Sequence, residues 1–599
     1  MPYAQQEEKV VARGSAGTLT ELFGRSAEAH PHRPAVRDDT RTLTYSQLDE
    51  ESDAVSALLR SHGVGPEDRV GIYLHRSVEL FVAILGVLKS GAAYVAVDSR
   101  YPDARRDLML DSSGAKVVLT ETGWEGRLTS VSARIVCIED RAAADTSPTE
   151  GVVVPSSAAS VLFTSGSSGE PKAIVLEHRN IVSFAANPSL PVLTPSDRVG
   201  QISSISFDAF HFEMWSTLGR GAQAVVLPPV PELLAADFQR QMRHYGITAM
   251  LVPTMVVNHV VREDRNAFAS LRILQTGGDV LLPAACRALL GGQFKGALYN
   301  LYGPAEITTA CTAHQVTAED AESDAIPIGL PLDGVSVRLL SPELEPTVPG
   351  ETGELFVSGP GVARGYQDRP DLTDERFLTL PGEADGARVY RTGDLARQRE
   401  DGALMFVGRV DNQVKIRGYR VEPGEVERGL RRYSEVQEAV VLPQGEGDDR
   451  RLVAFVVLEN DLGVKELRER SERDLPEFMV PGHFITQDRI PATAHGKRDL
   501  DALREVLAGH LEREESYAGP QTDTERFLAG LWENLLSAER IGRNDDFFDL
   551  GGHSLLAFRM HNRVNRELGL SLPFPVLLNN TVLKDLAAVI DVSREGATA

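Results

Sequence analysis

Apolar positions in the first four hundred residues switch between two spacings. "TLTELF" sets Thr18 and Glu21 three residues apart, the capping-box pattern in which each side chain bonds the other's backbone amide and opens a helix. "SVELFVAILGVLKSG" repeats apolar residues at helical spacing and stops at Gly91, a normal glycine end for a helix. The runs "AAYVAVD", "AKVVLT", "SARIVCI", "SVLFT" and "AQAVVL" are continuous apolar stretches of strand length, set between the helical ones. That alternation predicts an α/β architecture with largely parallel sheets.

Around Gly408 the texture changes. "VGRVDNQVKIRGYRVEPGEVERGL" is charged, punctuated by glycine, and strand-like before it turns helical, which predicts a smaller α+β unit. "EREESYAGPQTDTE" reads as a polar, solvated linker, and the block from "TERFLAGLWENLL" to "VLKDLAAVI" as all-helical. The expected organisation is a large α/β domain over 1–410, a small α+β subdomain over 411–507 and a helical domain over 519–594.

Composition narrows the class. The 599 residues exceed what one hydrophobic core supports, and 42% hydrophobic against 25% charged is an ordinary globular balance. A formal charge of -24, from 62 basic and 86 acidic residues, argues against nucleic acid or an anionic membrane as main partner. Cys137, Cys286 and Cys311 are scattered without CxxC spacing, so neither a disulfide framework nor a zinc site is expected. The start "MPYAQQEEKVVARGSAG" lacks the apolar centre of a signal peptide, and no run is long enough to span a bilayer; a soluble, cytoplasmic protein is expected.

The first candidate chemistry lies in "LFTSGSSGEPK", Leu162 to Lys172. Small hydroxyl residues and glycines ending in lysine suit a loop that holds phosphates. A Walker loop requires G-x-x-x-x-G-K-[ST] leading into a helix. Here Ala173 replaces the magnesium-binding hydroxyl, and "AIVLEH" reads as a strand. The motif is therefore strand–loop–strand. Alone, it reads equally well as a polar hairpin tip.

It is followed by "NLYGPAEITT", "YRTGDLAR", "GRVDNQVKIRGYRVEPGEVE" and "PATAHGKRD". Together the five motifs resemble, in order, the core motifs of the adenylate-forming superfamily, and more narrowly the adenylation domains of nonribosomal peptide synthetases. The resemblance implies a two-step enzyme. A carboxylic acid and ATP give an acyl-adenylate and pyrophosphate, and a thiol then takes the acyl group. By that resemblance Thr164, Ser165, Gly166, Ser167, Gly169 and Lys172 wrap the β- and γ-phosphates, Glu306 holds Mg²⁺ and Tyr302 stacks on adenine. Asp394 accepts from the ribose hydroxyls, and Arg409 reaches ribose or phosphate. Lys497 is the main catalytic candidate, pairing with charge that develops on the bridging and α-phosphate oxygens. Its flank "AHGK" departs from the more usual "NGK", with His495 where asparagine is common. Asp411 stands at the family's hinge, where the small subdomain rotates between the two half-reactions.

"SFDAFHFEMW" resembles the motif whose aspartate, here Asp208, receives the α-amino group of an amino acid. Carrying the family's pocket positions across gives Asp208, Ala209, Phe212, Met250, Gln275, Gly277, Leu301, Thr309, Ala310 and Lys497. Phe212, Met250, Leu301 and Ala310 form an apolar wall and Gly277 leaves room, as in pockets for leucine, valine or isoleucine. Gln275 disagrees. Buried without a partner it costs about 1–3 kcal/mol, so it faces either a water or a polar group of the substrate, and a hydroxylated or modified amino acid is the second choice.

"DDFFDLGGHSLLAFRMHNRV" resembles the modification site of a four-helix thiolation, or peptidyl carrier, domain. Gly551 and Gly552 permit a tight turn, and Ser554 then opens a helix with Leu556, Met560 and Val564 on one face. A serine at a helix N-terminus suits a phosphodiester, and the implied group is phosphopantetheine. The resemblance also implies a phosphopantetheinyl transferase, a downstream condensation domain or tailoring enzyme such as an oxygenase, and an MbtH-like protein as partners. Neither HHxxxDG nor G-x-S-x-G is found. A coenzyme A-dependent acyl or aryl acid ligase is opposed by Asp208 and the fused Ser554. A non-catalytic carrier scaffold is opposed by Lys172, Glu306, Asp394, Arg409 and Lys497.

Overall fold

The computed structural model describes residues 16–143, 153–166, 171–235, 237–381, 387–411, 413–416, 418–445, 450–459, 462–491, 498–512, 518–536, 538, 540–548, 550, 552, 554–570, 572–578 and 580–598. The chain divides into two compact units: one takes residues up to 412 apart from 166–170 and 228–241, and the other takes the remainder.

Two mixed sheets with parallel centres, and a third, antiparallel sheet, belong to the first unit. In the nine-stranded sheet Pro34–Arg37, Gln223–Val226, Arg198–Gln201, Ala249–Pro253, Ile273–Gly277 and Ala297–Tyr302 run parallel, with antiparallel strands at both edges. In the seven-stranded sheet five parallel strands end at Ala158–Thr164, which turns back as Lys172–Glu177 and then pairs on to Gly365–Tyr366. Helix Val78–Lys89 is buried from Leu80 to Leu88, so it is apolar on all sides. Thr18 and Glu21 make the expected capping box at helix Leu19–Ala29.

The strand–helix alternation stops near residue 330. Ser336–Leu340, Thr352–Ser358, Phe377–Leu378, Val389–Gln398 and Leu404–Arg409 build an all-antiparallel five-stranded sheet that the largely parallel expectation did not contain. The connections explain it: the turn from Gln398 to Leu404 is too short for the crossover that parallel pairing needs.

In the second unit, hairpin Val414–Ile416/Tyr419–Val421 leads into helix Pro423–Leu430 and a three-stranded sheet, Val436–Gln444, Arg451–Leu458 and His483–Thr486. Helix Leu500–Glu512 follows, with buried Leu503 and Leu507 clustered with Val453 and Phe455. Helices Asp523–Leu536, Ser554–Leu568, Phe574–Leu578 and Leu583–Thr598 follow around a core that includes Leu528, Trp532, Phe547, Leu586 and Ile590. Among the described residues no helix is long and apolar enough to cross a membrane.

Candidate active site

Strand ends gather the nucleotide-side candidates. Thr164 and Lys172 face each other where the two strands of the glycine loop begin to separate. The Thr164 hydroxyl is buried without a hydrogen-bond partner among the described residues. Lys172 is 4% exposed, and its ammonium sits 5.5 Å from the centroid of the Tyr366 ring. Tyr366 in turn donates its hydroxyl to Glu306 Oε1 at 2.7 Å. Glu306 lies fully buried in the short turn Ala305–Ile307, directly after strand Ala297–Tyr302. A cation, an aromatic ring and a carboxylate thus form one line. An unsatisfied hydroxyl and a lysine suit phosphate oxygens, and a buried carboxylate suits a divalent cation, so this donor set fits a metal–triphosphate.

Asp394 and Arg409 are register partners on neighbouring antiparallel strands. Asp394 accepts from the Arg409 guanidinium and from the Tyr302 hydroxyl. Arg409 also grips Asp411, Nε to Oδ1 at 2.7 Å and Nη2 to Oδ2 at 2.9 Å. Burial, with the Asp394 charge adding, raises the Tyr302 hydroxyl well above its usual range. The hydroxyl is thus a firm donor here.

Asp208 begins the substrate side. Its Oδ2 accepts the Thr309 amide at 3.2 Å, while the Thr309 hydroxyl donates to the Asp208 carbonyl at 2.9 Å. His211 Nδ1 lies 3.2 Å from that hydroxyl, and burial lowers the imidazole to about 3, so it stays neutral. Thr308 and Thr309 have φ of 60° and 72°. β-Branched residues rarely enter the left-handed region, and such strain persists only where the surroundings hold it. Here the Thr308 hydroxyl bonds the Gly361 carbonyl at 2.8 Å. Burial pushes the Asp208 carboxyl up to about 6, opposed by the Thr309 amide and reinforced by the Glu306 charge.

Phe212–Ser216 is a π-helical turn, a form often found at functional sites. Its Glu213 is fully buried and accepts from the Ile202 and Ser203 amides, both at 3.0 Å, and from Gln201 Nε2 at 3.1 Å. Burial outweighs those bonds and pushes this carboxyl up to about 7. The carboxylate clamps the turn to the chain that leaves strand Arg198–Gln201.

Strand register corrects two pocket positions. Gln275 pairs across with Leu251 and Tyr299, and Gly277 with Pro253 and Leu301. Alternation therefore puts Met250 on the opposite face, where it packs against Gly200. Leu251, on the face of Gln275, clusters with Phe212, Leu301 and Ala310, with Ala209 packed against them. Gly277 does not make room as expected: a Cβ there would meet the Leu301 carbonyl oxygen at 2.7 Å, so glycine is required by the close approach of two strands. Gln275 is fully buried, and among the described residues neither its Oε1 nor its Nε2 has a partner.

Ser554 is the first residue of a fifteen-residue helix. Leu556, Met560 and Val564 are buried as the pattern predicted. A Cβ on Gly552 would lie 2.3 Å from the Phe547 ring, so the residue before the serine loop is pinned to glycine by that ring. A helix opening on a serine, with its first amides free of intrahelical partners, fits a covalent phosphodiester. Ser167, Gly169, His495, Lys497 and Gly551 lie outside the described residues. Sequence reasoning passed over Tyr366, which lies in no motif, and over His211 and Glu213, which lie inside the Asp208 motif but were given no role.

The AMP-binding enzyme family matches residues 23–367, more than half of the chain. The AMP-binding enzyme C-terminal domain matches 425–497, and the phosphopantetheine attachment site 526–590. The chain belongs to the AMP-binding enzyme family. Within it, the order of domains is that of an adenylation–carrier didomain of nonribosomal peptide synthetases. Bacitracin synthase 2 of Bacillus licheniformis is 36% identical over 578 residues, which cover 96% of this chain and 22% of that protein. Surfactin synthase subunit 1 of Bacillus subtilis (strain 168) is 34% identical over 587 residues, covering 97% of this chain and 16% of that protein. The chain thus spans about a fifth of these curated relatives or less. A solved structure of holo-PA1221, an NRPS protein containing adenylation and PCP domains, superposes with a TM-score of 0.83 at 30% identity, covering 96% of this chain and 97% of that one. NpsA-ThdA, an artificially fused adenylation–PCP di-domain from Klebsiella oxytoca, gives 0.71 at 27% identity, covering 82% and 96%.

Proposed function

We propose that the chain activates an amino acid with ATP as an aminoacyl-adenylate, releasing pyrophosphate, and loads the acyl group as a thioester on its own carrier, in nonribosomal peptide or related secondary-metabolite biosynthesis. One observation carries this reading: the buried carboxylate of Glu306 lies in the same short segment that holds the partly buried carboxylate of Asp208. Tyr366 fixes Glu306, and two residues past the turn Thr309 holds Asp208. A site with one carboxylate for a metal–phosphate and another for an ammonium suits ATP and a zwitterion.

In the first step a substrate carboxylate oxygen attacks the α-phosphorus, and the bond to the bridging oxygen breaks as pyrophosphate leaves. Thr164, Ser165, Gly166, Ser167, Gly169 and Lys172 would hold the β- and γ-phosphates, with Glu306 on Mg²⁺. Tyr302 would lie against adenine and Asp394 would take the ribose hydroxyls, sharing its oxygens with Tyr302 and Arg409. Lys497 would stabilise charge on the phosphate oxygens, and Asp208 would pair with the ammonium. Phosphopantetheine on Ser554 supplies the accepting thiol. Asp411, already held by Arg409, would serve as the hinge between 1–410 and 411–507, with the four-helix carrier over 519–594.

The apolar wall of Phe212, Leu251, Leu301 and Ala310 supports a branched aliphatic side chain. The unpartnered amide of Gln275 favours a second reading, a hydroxylated or modified amino acid. Asp208 and the fused carrier weigh against an acyl or aryl acid ligase using free coenzyme A. A phosphopantetheinyl transferase, a downstream condensation domain or tailoring enzyme, and an MbtH-like protein are the proposed partners.

Amino-acid-dependent exchange of labelled pyrophosphate into ATP tests the reading. Exchange is expected with the wild type, loss of most of it with Lys497→Ala, and full exchange without covalent loading in Ser554→Ala. Failure of the serine variant to exchange would refute this division of roles.

A further inference from the structure

A closed ring of hydrogen bonds holds Asp208, and it runs through one histidine. The Asp208 carbonyl accepts the His211 amide and the Thr309 hydroxyl, each at 2.9 Å. The Thr309 amide donates back to Asp208 Oδ2 at 3.2 Å, and His211 Nδ1 lies 3.2 Å from the Thr309 hydroxyl. That hydroxyl has a single proton and a carbonyl can only accept, so the proton is committed to Asp208. His211 must then carry its own proton on Nδ1 and donate it. Burial lowers the imidazole to about 3, so the ring stays a neutral donor. His211 is 1% exposed, and Thr309 is the one side chain its ring bonds among the described residues.

An imidazole that only filled space here would be replaced by an apolar ring without the penalty of burying two polar nitrogens. Thr309 accounts for it. At a φ of 72° a β-branched residue is strained, and its own preferences do not keep the peptide there. Its hydroxyl is fixed from two sides, by the bond it gives to Asp208 and the bond it takes from His211. Those two bonds set the side-chain rotamer, and with it the direction of the amide. We propose that His211 is a positioning residue for the amino acid: through the Thr309 hydroxyl it holds the Thr309 amide on Asp208, and so aims that carboxylate at the substrate ammonium. The proposal rests on the reading above in which Asp208 pairs with the ammonium. His211 touches no reacting atom in this role. A lysine or arginine could donate in its place, but its charge would compete with the ammonium for the carboxylate.

The experiment is pyrophosphate exchange by the full chain, with KM measured separately for ATP and for the best amino acid. His211→Phe keeps a ring and deletes the donor. The amino-acid KM should rise about 10-fold, the effect of one lost hydrogen bond, while the KM for ATP stays within about twofold. His211→Asn, whose amide nitrogen stands near the place of Nδ1, should recover most of the loss. His211→Gln, whose amide reaches toward the place of Nε2, should not. Thr309→Val removes the hydroxyl and keeps the branch at Cβ. In that background His211→Phe should add nothing, because the bond it deletes is already gone. An amino-acid KM unmoved by His211→Phe, an equal rise in both KM values, or the full effect persisting beside Thr309→Val would overturn the proposal and leave amino-acid activation standing. Should His211→Phe fail to fold, His211→Asn against His211→Gln decides, and equal amino-acid KM values in the two overturn it. Silence of the wild type with every amino acid would sink the activation reading and this proposal with it.

Discussion

Tyr366 donates its hydroxyl to Glu306 at 2.7 Å while its ring lies under the Lys172 ammonium at 5.5 Å. One side chain therefore orients the carboxylate assigned to the metal and neighbours the lysine assigned to phosphate. Tyr366→Phe keeps the ring and deletes the donor. Half-saturation of exchange by Mg²⁺ should rise about 10-fold, as when other partners of metal-ligating groups are removed. Stability should fall by about 1–3 kcal/mol, visible as a lower melting temperature. An unchanged Mg²⁺ titration would mean that the hydrogen bond only supports the fold.

Asp208 titrates at about 6 in the folded chain, against an ordinary value of 3.8. The substrate ammonium stays charged across this range, so binding through Asp208 requires the ionised carboxylate. kcat/KM for the amino acid should fall tenfold per pH unit below about 6, since it reports groups of the free enzyme. The KM for ATP should move less. Asp208→Asn should lose most activity and gain melting temperature at pH 8, because a charge that folding disfavours is removed.

Glu213 has its folded value raised from 4.5 to about 7. Between those values the unfolded chain has released the proton and the folded chain retains it, so stability falls as pH rises through the window. This contribution is complete above about 7 and absent below about 4.5. Glu213→Gln removes it. The stability of the variant relative to wild type should therefore be higher at pH 8 than at pH 5 by about 2–3 kcal/mol, seen as a relatively higher melting temperature at pH 8. A constant offset between the two would refute the assignment.

Gly552 has no space for a Cβ beside Phe547. Gly552→Ala should destabilise the carrier by about 1–3 kcal/mol, as other overpacked interiors are, and slow attachment of phosphopantetheine at Ser554. Pyrophosphate exchange should remain at wild-type level. The cleanest readout is mass spectrometry of the carrier peptide beside the exchange rate.

Patterns that depend on neighbours along the chain were legible in advance. The Thr18–Glu21 cap, the helix at Val78–Lys89 and the buried face Leu556, Met560 and Val564 each follow from spacing alone. What depends on neighbours across a sheet was not. Met250 and Leu251 differ by one residue, yet that step decides which face of the strand each occupies. Gly277 looked like space and proved to be a close contact with Leu301, which only the adjoining strand reveals. Tyr366 sits in "ARGYQD" without a motif and reaches Glu306 because Gly365–Tyr366 pairs with Ile174 and Val175 at the sheet edge. The antiparallel sheet from Ser336 to Arg409 was hidden for the same reason.

The left-handed pair Thr308–Thr309 limits how this site can be redesigned. Residue 309 is one of the proposed pocket positions, and it is also one of two consecutive β-branched residues held at positive φ. Any replacement there alters the local backbone preference as well as the lining. Glycine or asparagine would relax a conformation worth about 1–3 kcal/mol of strain and free the amide that now points at Asp208. A library that randomises residue 309 for new substrates would therefore mix two effects in every clone, a changed cavity and a changed aim of the carboxylate proposed to bind the ammonium. Varying residues 251, 275 and 301, which lie on regular strands, would alter the cavity while leaving that aim in place.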